Sequence, residues 1–210
     1  MRVFDYFDKV YLINLDRRPD RLENFKKEVE KYNLGEFERI PAVDGTLLDT
    51  SKYNSRLKSG ELGLLLTNKI IFEDAVKNNY DKILIVEDDC CFTDEIKNFD
   101  ELITYLPEDW DMFYMGGNHN THVGQRPPDK INEKIVKLHN TYSTHFVGVN
   151  QRLYQTILDY MSGFNSQIDV LYTKIQKNKN VYCYFPGISK QIVDFSDIQN
   201  RRTDYNWLIK

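Results

Sequence analysis

Several features that define other protein classes are missing from this sequence. It has three cysteines in 210 residues, and two of them, Cys90 and Cys91, are adjacent, so no disulfide framework is expected. No apolar run approaches the roughly 18 residues of a membrane-spanning helix. Asp5, Asp8 and Lys9 interrupt the N-terminal apolar residues where a signal peptide needs a continuous stretch. We therefore expect free thiols, no transmembrane segment and an intracellular, reducing location such as the cytoplasm.

The sequence also lacks the signatures of nucleic-acid binding and of glycine-rich phosphate loops. Its formal net charge is -4, whereas proteins that bind long polyanions usually carry a basic excess, so nucleic acid is not an expected partner. No Gly-x-Gly-x-x-Gly follows the first apolar segment, and no Gly-x4-Gly-Lys-Ser/Thr is present. If the protein binds phosphate groups, a cation or charged side chains must hold them.

Apolar segments alternate regularly with amphipathic helices along the chain. Hydrophobic residues make up 41% and charged residues 29% of the sequence, which is the balance of a globular domain. Strands are predicted at 10–13, 37–40, 83–86, 112–115, 141–149 and 181–185. Helices are predicted at 19–32, 59–78, 95–106, 151–161 and 165–177, with Gly35 as the cap of the first. This order predicts one α/β domain over residues 1–210, with a mainly parallel sheet covered on both faces.

An acidic cluster, Glu87-Asp88-Asp89, follows directly after the clearest strand. In open α/β sheets ligands bind beyond the carboxyl ends of the strands, and this cluster stands at such an end. Side chains alternate in extended chain, so Glu87 and Asp89 point one way and could hold Mg²⁺ or Mn²⁺ against phosphate oxygens. Asp88 points the other way and is a candidate for binding the nucleotide that carries those phosphates. The alternative is a solvated acidic turn.

Further polar residues follow the first strand and are candidates for binding a nucleotide. They are Asn14, Asp16, Arg17, Arg18 and Arg21. Asn14 can hydrogen-bond a base or ribose, while Arg17 and Arg21 are four residues apart, can share a helix face, and suit phosphate. The alternative for each arginine is a surface salt bridge to Asp20 or Glu23.

Three other features have competing interpretations. Asp44-Gly45, which follows the second strand, could hydrogen-bond a nucleoside or form an ordinary turn. Residues 118–130 are predicted to form a long loop of the kind that often binds ligands. His145 lies in an apolar strand, where we expect a core histidine with satisfied hydrogen bonds.

Taken in order, several sequence blocks resemble glycosyltransferase family 25, which includes lipopolysaccharide and lipooligosaccharide sugar transferases and collagen hydroxylysine galactosyltransferases. The matching blocks lie at 10–21, 39–45, 61–63, 83–89, 110–116, 168–169 and 196–198. Each block is weak by itself. Together they fall in family order across nearly the whole chain.

The resemblance implies a GT-A, Rossmann-like nucleotide-sugar-binding fold and an inverting transfer helped by Mn²⁺ or Mg²⁺. The donor would be an activated sugar, usually a UDP-sugar such as a UDP-hexose, and the acceptor a hydroxyl of a glycan or of hydroxylysine. Glu87 and Asp89 would hold the metal. Asp169, in the block Ile168-Asp169, is the candidate base that takes the acceptor proton. The alternative for Asp169 is a carboxylate that interacts with a helix dipole.

One departure from the family pattern bears on activity. Thr67-Asn68 stand where the family usually has a Ser-His pair, and asparagine cannot act as a base near neutral pH. The alternative function is therefore a catalytically inactive nucleotide-sugar or glycan-binding module of the same fold. A metal-dependent phosphotransferase would need a phosphate-accepting nucleophile or a nucleotide-triphosphate loop, and the sequence shows neither.

Overall fold

A computed structural model describes residues 1–53, 55–119, 125–198 and 201–204. Its helices are α1 (Pro19–Tyr32), α2 (Ser59–Asn78), α3 (Phe99–Leu102), α4 (Tyr154–Met161) and α5 (Ile168–Gln176). Its strands are β1 (Lys9–Asn14), β2 (Glu38–Pro41), β3 (Lys82–Glu87), β4 (Cys90–Phe92), β5 (Met112–Tyr114), β6 (Asn118–His119), β7 (Asp129–Lys130), β8 (Ile135–Lys137), β9 (Thr141–Tyr142), β10 (Phe146–Asn150), β11 (Val181–Tyr184), β12 (Ser189–Gln191), β13 (Asp194–Ser196) and β14 (Arg201–Thr203). Short 3₁₀ turns flank α3 and precede α4.

The central sheet has eight strands in the order β2-β1-β3-β10-β5-β11-β8-β7. Six of them run in one direction, whereas β10 and β8 run antiparallel to their neighbours. The expected α/β fold with a mainly parallel sheet is confirmed.

The chain forms two hydrophobic cores, one on each face of this sheet. Tyr11 and Ile13 of β1 pack into the core with α2, α4 and α5. Val10 and Leu12 pack into the other, which contains residues of α1 and α3. Both faces of β1 are covered, which explains why its sequence is a continuous apolar run. The strand was predicted from that run.

The predicted strand at 141–149 is two strands. Thr141–Tyr142 pairs with β6, and only Phe146–Asn150 enters the central sheet. Ser143 between them has a φ of 84°, a conformation that is uncommon for residues other than glycine. That turn redirects the chain. In the predicted loop at 118–130, residues 118–119 and 129–130 form short strands, and residues 120–124 lie outside the described residues.

Asparagines, and not Gly35, end the two long helices. Asn33 adopts the left-handed conformation with a φ of 50° after α1, so the prediction of Gly35 as the cap was wrong. Asn79 does the same after α2, with a φ of 54°. Asparagine tolerates this conformation better than most side chains because its short amide can hydrogen-bond locally.

Two glycines bring the end of β2 against the start of α2. A Cβ added to Gly45 would lie 2.0 Å from the carbonyl oxygen of Ser59, and one on Gly63 would lie 2.4 Å from that of Val43. Neither position has space for a side chain. The backbone after β2 therefore lies directly on the first turns of α2.

The three thiols are free, as expected: Cys90 and Cys183 are buried and Cys91 is partly buried. Among the described residues, no helix has the length and apolar character needed to cross a membrane.

Candidate active site

The carboxyl ends of β1, β2 and β3 meet at one edge of the sheet and open into a cavity of about 670 Å³. Most of the residues that the sequence singled out line it: Asn14, Arg17, Arg21, Asp44, Gly45, Glu87, Asp88 and Asp89. Parallel pairing of β1 with both β2 and β3 brings these strand ends together. This cavity is called the donor cavity below, after the role that the sequence predicts for the residues lining it.

Asp88 ties the end of β3 to β1 and α1. Its carboxylate accepts a hydrogen bond from Asn14 Nδ2 at 2.6 Å and another from Arg21 Nη1 at 3.1 Å. Burial raises the pKa of Asp88, and these two donors oppose the rise. Asp88 and Asp89 lie in a turn and not in extended chain, and all three carboxylates line the same cavity, so the predicted alternation does not separate Asp88 from the other two.

Glu87 and Asp89 have other partners. Thr144 Oγ1 donates to Glu87 Oε1 at 2.5 Å, and Gln191 Nε2 lies 3.3 Å from Asp89 Oδ2. Burial is the main cause of a raised pKa in both, to about 8 for Glu87 and about 6 for Asp89, and the negative charge of neighbouring aspartates adds to it. The ionised pair is therefore destabilised unless positive charge is near.

This shift predicts how stability depends on pH in the metal-free protein. Between the ordinary Glu value of 4.5 and about 8, the folded state keeps a proton at Glu87 that the unfolded state has lost. Stability contributed by this group therefore falls as pH rises through that window. We expect Glu87→Gln to reduce the fall in Tm measured between about pH 5 and pH 8.

Glu30→Gln, on the exposed face of α1, is the matched control and should follow the wild type. Equal pH profiles for wild type and Glu87→Gln would contradict the raised pKa.

The arginines at the first strand end pair with acidic residues from late in the chain. Arg17 donates to Asp44 at 2.7 Å and to Asp197 at 2.5 Å. Arg21 donates to Asp194 as well as to Asp88. Because α1 begins at Pro19, Arg17 precedes the helix, so the expectation that Arg17 and Arg21 share a helix face was wrong. Sequence reasoning gave no role to Asp194 or Asp197.

Asp16 does not line the donor cavity. Its side chain is 78% exposed and pairs with Arg39 at 2.5 Å. Arg39 Nε also donates to Asn14 Oδ1 at 2.8 Å, which fixes the orientation of that amide. Sequence analysis did not single out Arg39, although it begins one of the family-like blocks.

A second cavity, of about 520 Å³, adjoins the first and shares Lys58, Leu64, Glu87, Gln191 and Ile198 with it. Asp169 lines this cavity together with Glu61, Ser143, Thr144 and Gln167. We call it the acceptor-side cavity. Glu87 thus stands where the two spaces meet.

Asp169 lies in the first turn of α5, partly buried. Burial raises the pKa of Asp169, and hydrogen bonds from backbone N–H groups oppose the rise. The N–H of Val170 lies 2.7 Å from Asp169 Oδ1. The residue therefore occupies a helix start and also faces the acceptor-side cavity.

Thr67 and Asn68 are buried in α2. Thr67 Oγ1 donates to the carbonyl of Gly63 and accepts from the N–H of Val43, which supports the contact between α2 and the end of β2. Asn68 Nδ2 donates to the carbonyl of Leu64 at 3.0 Å. Neither residue is among those that line the two cavities.

The acidic cluster offers two carboxylates, those of Glu87 and Asp89, as ligands for a divalent cation. The described residues contain no group of three or more His, Cys, Asp or Glu side chains arranged around one point. Glu87 and Asp89 nevertheless line the donor cavity, and the pKa of each is raised. Mg²⁺ is commonly bound by one or two carboxylates, with phosphate and water as its other ligands. The two carboxylates fit that mode of binding.

Comparison with known proteins identifies the family to which this chain belongs. Residues 7–167 match the family model described as glycosyltransferase family 25 (LPS biosynthesis protein). The chain is similar to procollagen galactosyltransferase 2 of Mus musculus, with 28% identity over 152 residues that cover 63% of this chain and 24% of the relative. It is also similar to inactive glycosyltransferase 25 family member 3 of Homo sapiens, with 31% identity over 133 residues, 52% of this chain and 22% of the relative.

These alignments cover about a quarter of the length of the curated relatives. Among solved structures, A197 from STIV matches 97% of this chain and 95% of its own, with a TM-score of 0.51 and 12% identity. At that identity the likeness concerns the fold.

Proposed function

This chain belongs to glycosyltransferase family 25, and from that premise we propose that it transfers a sugar from a nucleotide-sugar donor to an acceptor hydroxyl. The observation that carries the proposal is the pair of adjoining cavities that share Glu87. An inverting glycosyl transfer needs the acceptor hydroxyl and the leaving diphosphate on opposite sides of one anomeric carbon. The donor cavity and the acceptor-side cavity, which join at Glu87, provide those two positions.

The donor cavity suits the nucleotide and its diphosphate. Asp44 offers a carboxylate for a base or ribose, and Arg17 and Arg21 offer guanidinium groups for phosphate. The amide of Asn14 already bonds Asp88, Arg39 and the carbonyl of Arg18, so Asn14 would shape the wall of the cavity. We propose a UDP-sugar, such as a UDP-hexose, as the donor. Asp88 would support this end of the site through Asn14 and Arg21.

We propose that Glu87 and Asp89 hold Mn²⁺ or Mg²⁺ when the donor binds. Such an ion would neutralise charge on the departing diphosphate. The protein's own contribution is to keep two oxygen ligands at the cavity wall and to place Arg21 beside them, where it lowers the pKa of Asp89.

The acceptor hydroxyl would enter from the other side. We propose that Asp169 accepts its proton as the hydroxyl oxygen bonds to the anomeric carbon and the bond to the diphosphate breaks, with inversion. The acceptor class is a hydroxyl of a glycan or of hydroxylysine. The three free thiols fit a reducing compartment, and we propose a cytoplasmic location.

The second candidate function is binding without catalysis. Asn68 in place of the family histidine favours it, as does similarity to a relative whose name includes the word inactive. Incubation with UDP-hexoses and Mn²⁺, with and without glycan or hydroxylysine acceptors, separates the two. Transfer or slow donor hydrolysis supports the enzyme. A ligand-induced rise in Tm without any turnover supports the binding module.

Arg17 provides a test of the donor site. We expect Arg17→Ala to weaken UDP binding by about 10–100-fold, because a hydrogen bond to a charged group contributes about 1.5–3 kcal/mol. Loss of the guanidinium also leaves Asp44 and Asp197 without one positive partner beside the diphosphate. Isothermal titration with UDP measures the change.

Arg2→Ala is the matched control, since Arg2 pairs with Asp5 at the surface. If Arg17→Ala binds UDP as the wild type does, the nucleotide lies elsewhere.

A further inference from the structure

The turn Ser143–His145, between β9 and β10, touches the end of β3. Thr144 Oγ1 donates to Glu87 Oε1, and the N–H of Glu87 donates to the carbonyl of His145 at 3.0 Å. The φ of 84° at Ser143 is uncommon for a residue with a side chain. Such a conformation persists where surrounding contacts impose it, and here it lies against a cavity wall.

Gln191 connects this turn to Asp89. Its Nε2 lies 3.3 Å and 3.5 Å from the two carboxylate oxygens of Asp89, and its Oε1 lies 2.9 Å from Ser143 Oγ. An ionised carboxylate only accepts hydrogen bonds, so the amide must turn its N–H group toward Asp89 and its oxygen toward Ser143. Ser143 must therefore donate its hydroxyl proton to Gln191.

The buried imidazole of His145 continues this series of hydrogen bonds. Because the Ser143 proton is committed, its oxygen accepts from His145 Nδ1, which lies 2.9 Å away. His145 Nε2 is then the acceptor for Ser189 Oγ at 3.1 Å. A proton on Nε2 could instead face the backbone carbonyl of Ser189, but it would leave no proton between Nδ1 and the Ser143 oxygen. His145 is buried, and both of its ring nitrogens face serine hydroxyls and no carboxylate, so the ring is neutral and carries one proton. Each group donates to the next one. Ser189 donates to His145, His145 to Ser143, Ser143 to Gln191, and Gln191 to Asp89.

We propose that Gln191 is a positioning residue for Asp89, and that Ser143 and the Nδ1–H tautomer of His145 fix the orientation of its amide. The same turn orients Glu87 through Thr144. β12, which carries Ser189 and Gln191, pairs with β4 directly after the acidic cluster. This hydrogen-bond network therefore contacts the carboxylates of both Glu87 and Asp89. Its role in catalysis rests on the proposed function, whereas its hydrogen-bond order does not.

The imidazole tautomer tests the hydrogen-bond order without any ligand or turnover. The ¹⁵N shifts of His145 at neutral pH should show a neutral ring with a single Nδ1–H. In Gln191→Met, which keeps the length but loses the amide, the Ser143 hydroxyl is released and a mixture of tautomers is expected. A wild-type ring with Nε2–H, or no change in Gln191→Met, overturns the proposal.

Mn²⁺ binding in the presence of UDP, followed by electron paramagnetic resonance, tests the positioning. Residues that orient metal ligands typically change affinity by 10–100-fold, and we expect a loss of about that size in Gln191→Met. Gln155→Met is the matched control, since Gln155 donates a hydrogen bond to Asp159 on the exposed face of α4. Unchanged Mn²⁺ affinity in a folded Gln191→Met variant contradicts the positioning role.

Ser143→Gly gives a second variant that should fold well. Glycine removes the hydroxyl and adopts a φ of 84° without strain, so Tm should stay equal or rise while Mn²⁺ affinity falls. Equal Mn²⁺ affinity in Ser143→Gly contradicts the network. If wild type binds no Mn²⁺ even with UDP present, the metal part of the proposed function fails, while the tautomer measurement still decides the hydrogen-bond order.

Discussion

Asp169→Asn is expected to lower the rate of sugar transfer by about 10²–10⁴ while UDP affinity stays nearly unchanged, since this is the usual effect of losing a general base. Asp169 lines the acceptor-side cavity and not the donor cavity. Burial raises the pKa of Asp169, which makes its carboxylate a better proton acceptor than an ordinary one. An amide cannot accept the proton at neutral pH.

The asparagine side chain keeps an oxygen near the N–H of Val170, so α5 should start normally in this variant. Asp159→Asn, on the exposed side of α4, is the matched control for the substitution. Steady-state rates and UDP titration are measured on all three proteins. Near-normal turnover in Asp169→Asn eliminates it as the base, and loss of UDP binding would assign it to the donor site.

Removal of divalent cations is expected to abolish transfer, and Asp89→Asn should do the same. A metal that neutralises a leaving diphosphate contributes several kcal/mol, which corresponds to about 10³-fold or more in rate. Burial raises the pKa of Asp89, so a neutral amide at this position should not reduce Tm. Loss of activity would then reflect lost charge and not unfolding.

The measurement is the transfer rate after exhaustive treatment with EDTA and again after Mn²⁺ or Mg²⁺ is restored. Asp94→Asn, a surface aspartate paired with Lys97, serves as the matched control. Full activity in the metal-free enzyme would contradict the role given to Glu87 and Asp89. Activity that returns with either ion would support it.

The sequence was sufficient to predict the strands buried on both faces and the residues at their carboxyl ends. β1 and β3 are continuous apolar runs followed by polar residues, and parallel pairing then brings Asn14 and Glu87 to one edge. Hydrophobic pattern does not specify strand direction, so the antiparallel β10 could not be recognised.

Contacts between distant parts of the chain were beyond sequence reasoning. Asp197 pairs with Arg17 across 180 positions, and Gln191 reaches Asp89 across 102. Local spacing gives no information about such pairs, because tertiary packing alone brings them together. The break at Ser143 was missed for a related reason: a serine with positive φ has no sequence signal, whereas glycine would have suggested a turn.

The close approach of Gly45 and Gly63 to neighbouring backbone has a consequence for redesigning donor choice. Any larger residue at either position would push α2 away from the end of β2, since both added Cβ atoms would meet carbonyl oxygens. Libraries that diversify these two glycines should yield mostly unstable proteins. Altered selectivity should instead come from side chains that line the space, such as Arg17 and Leu64, which are not part of this backbone contact.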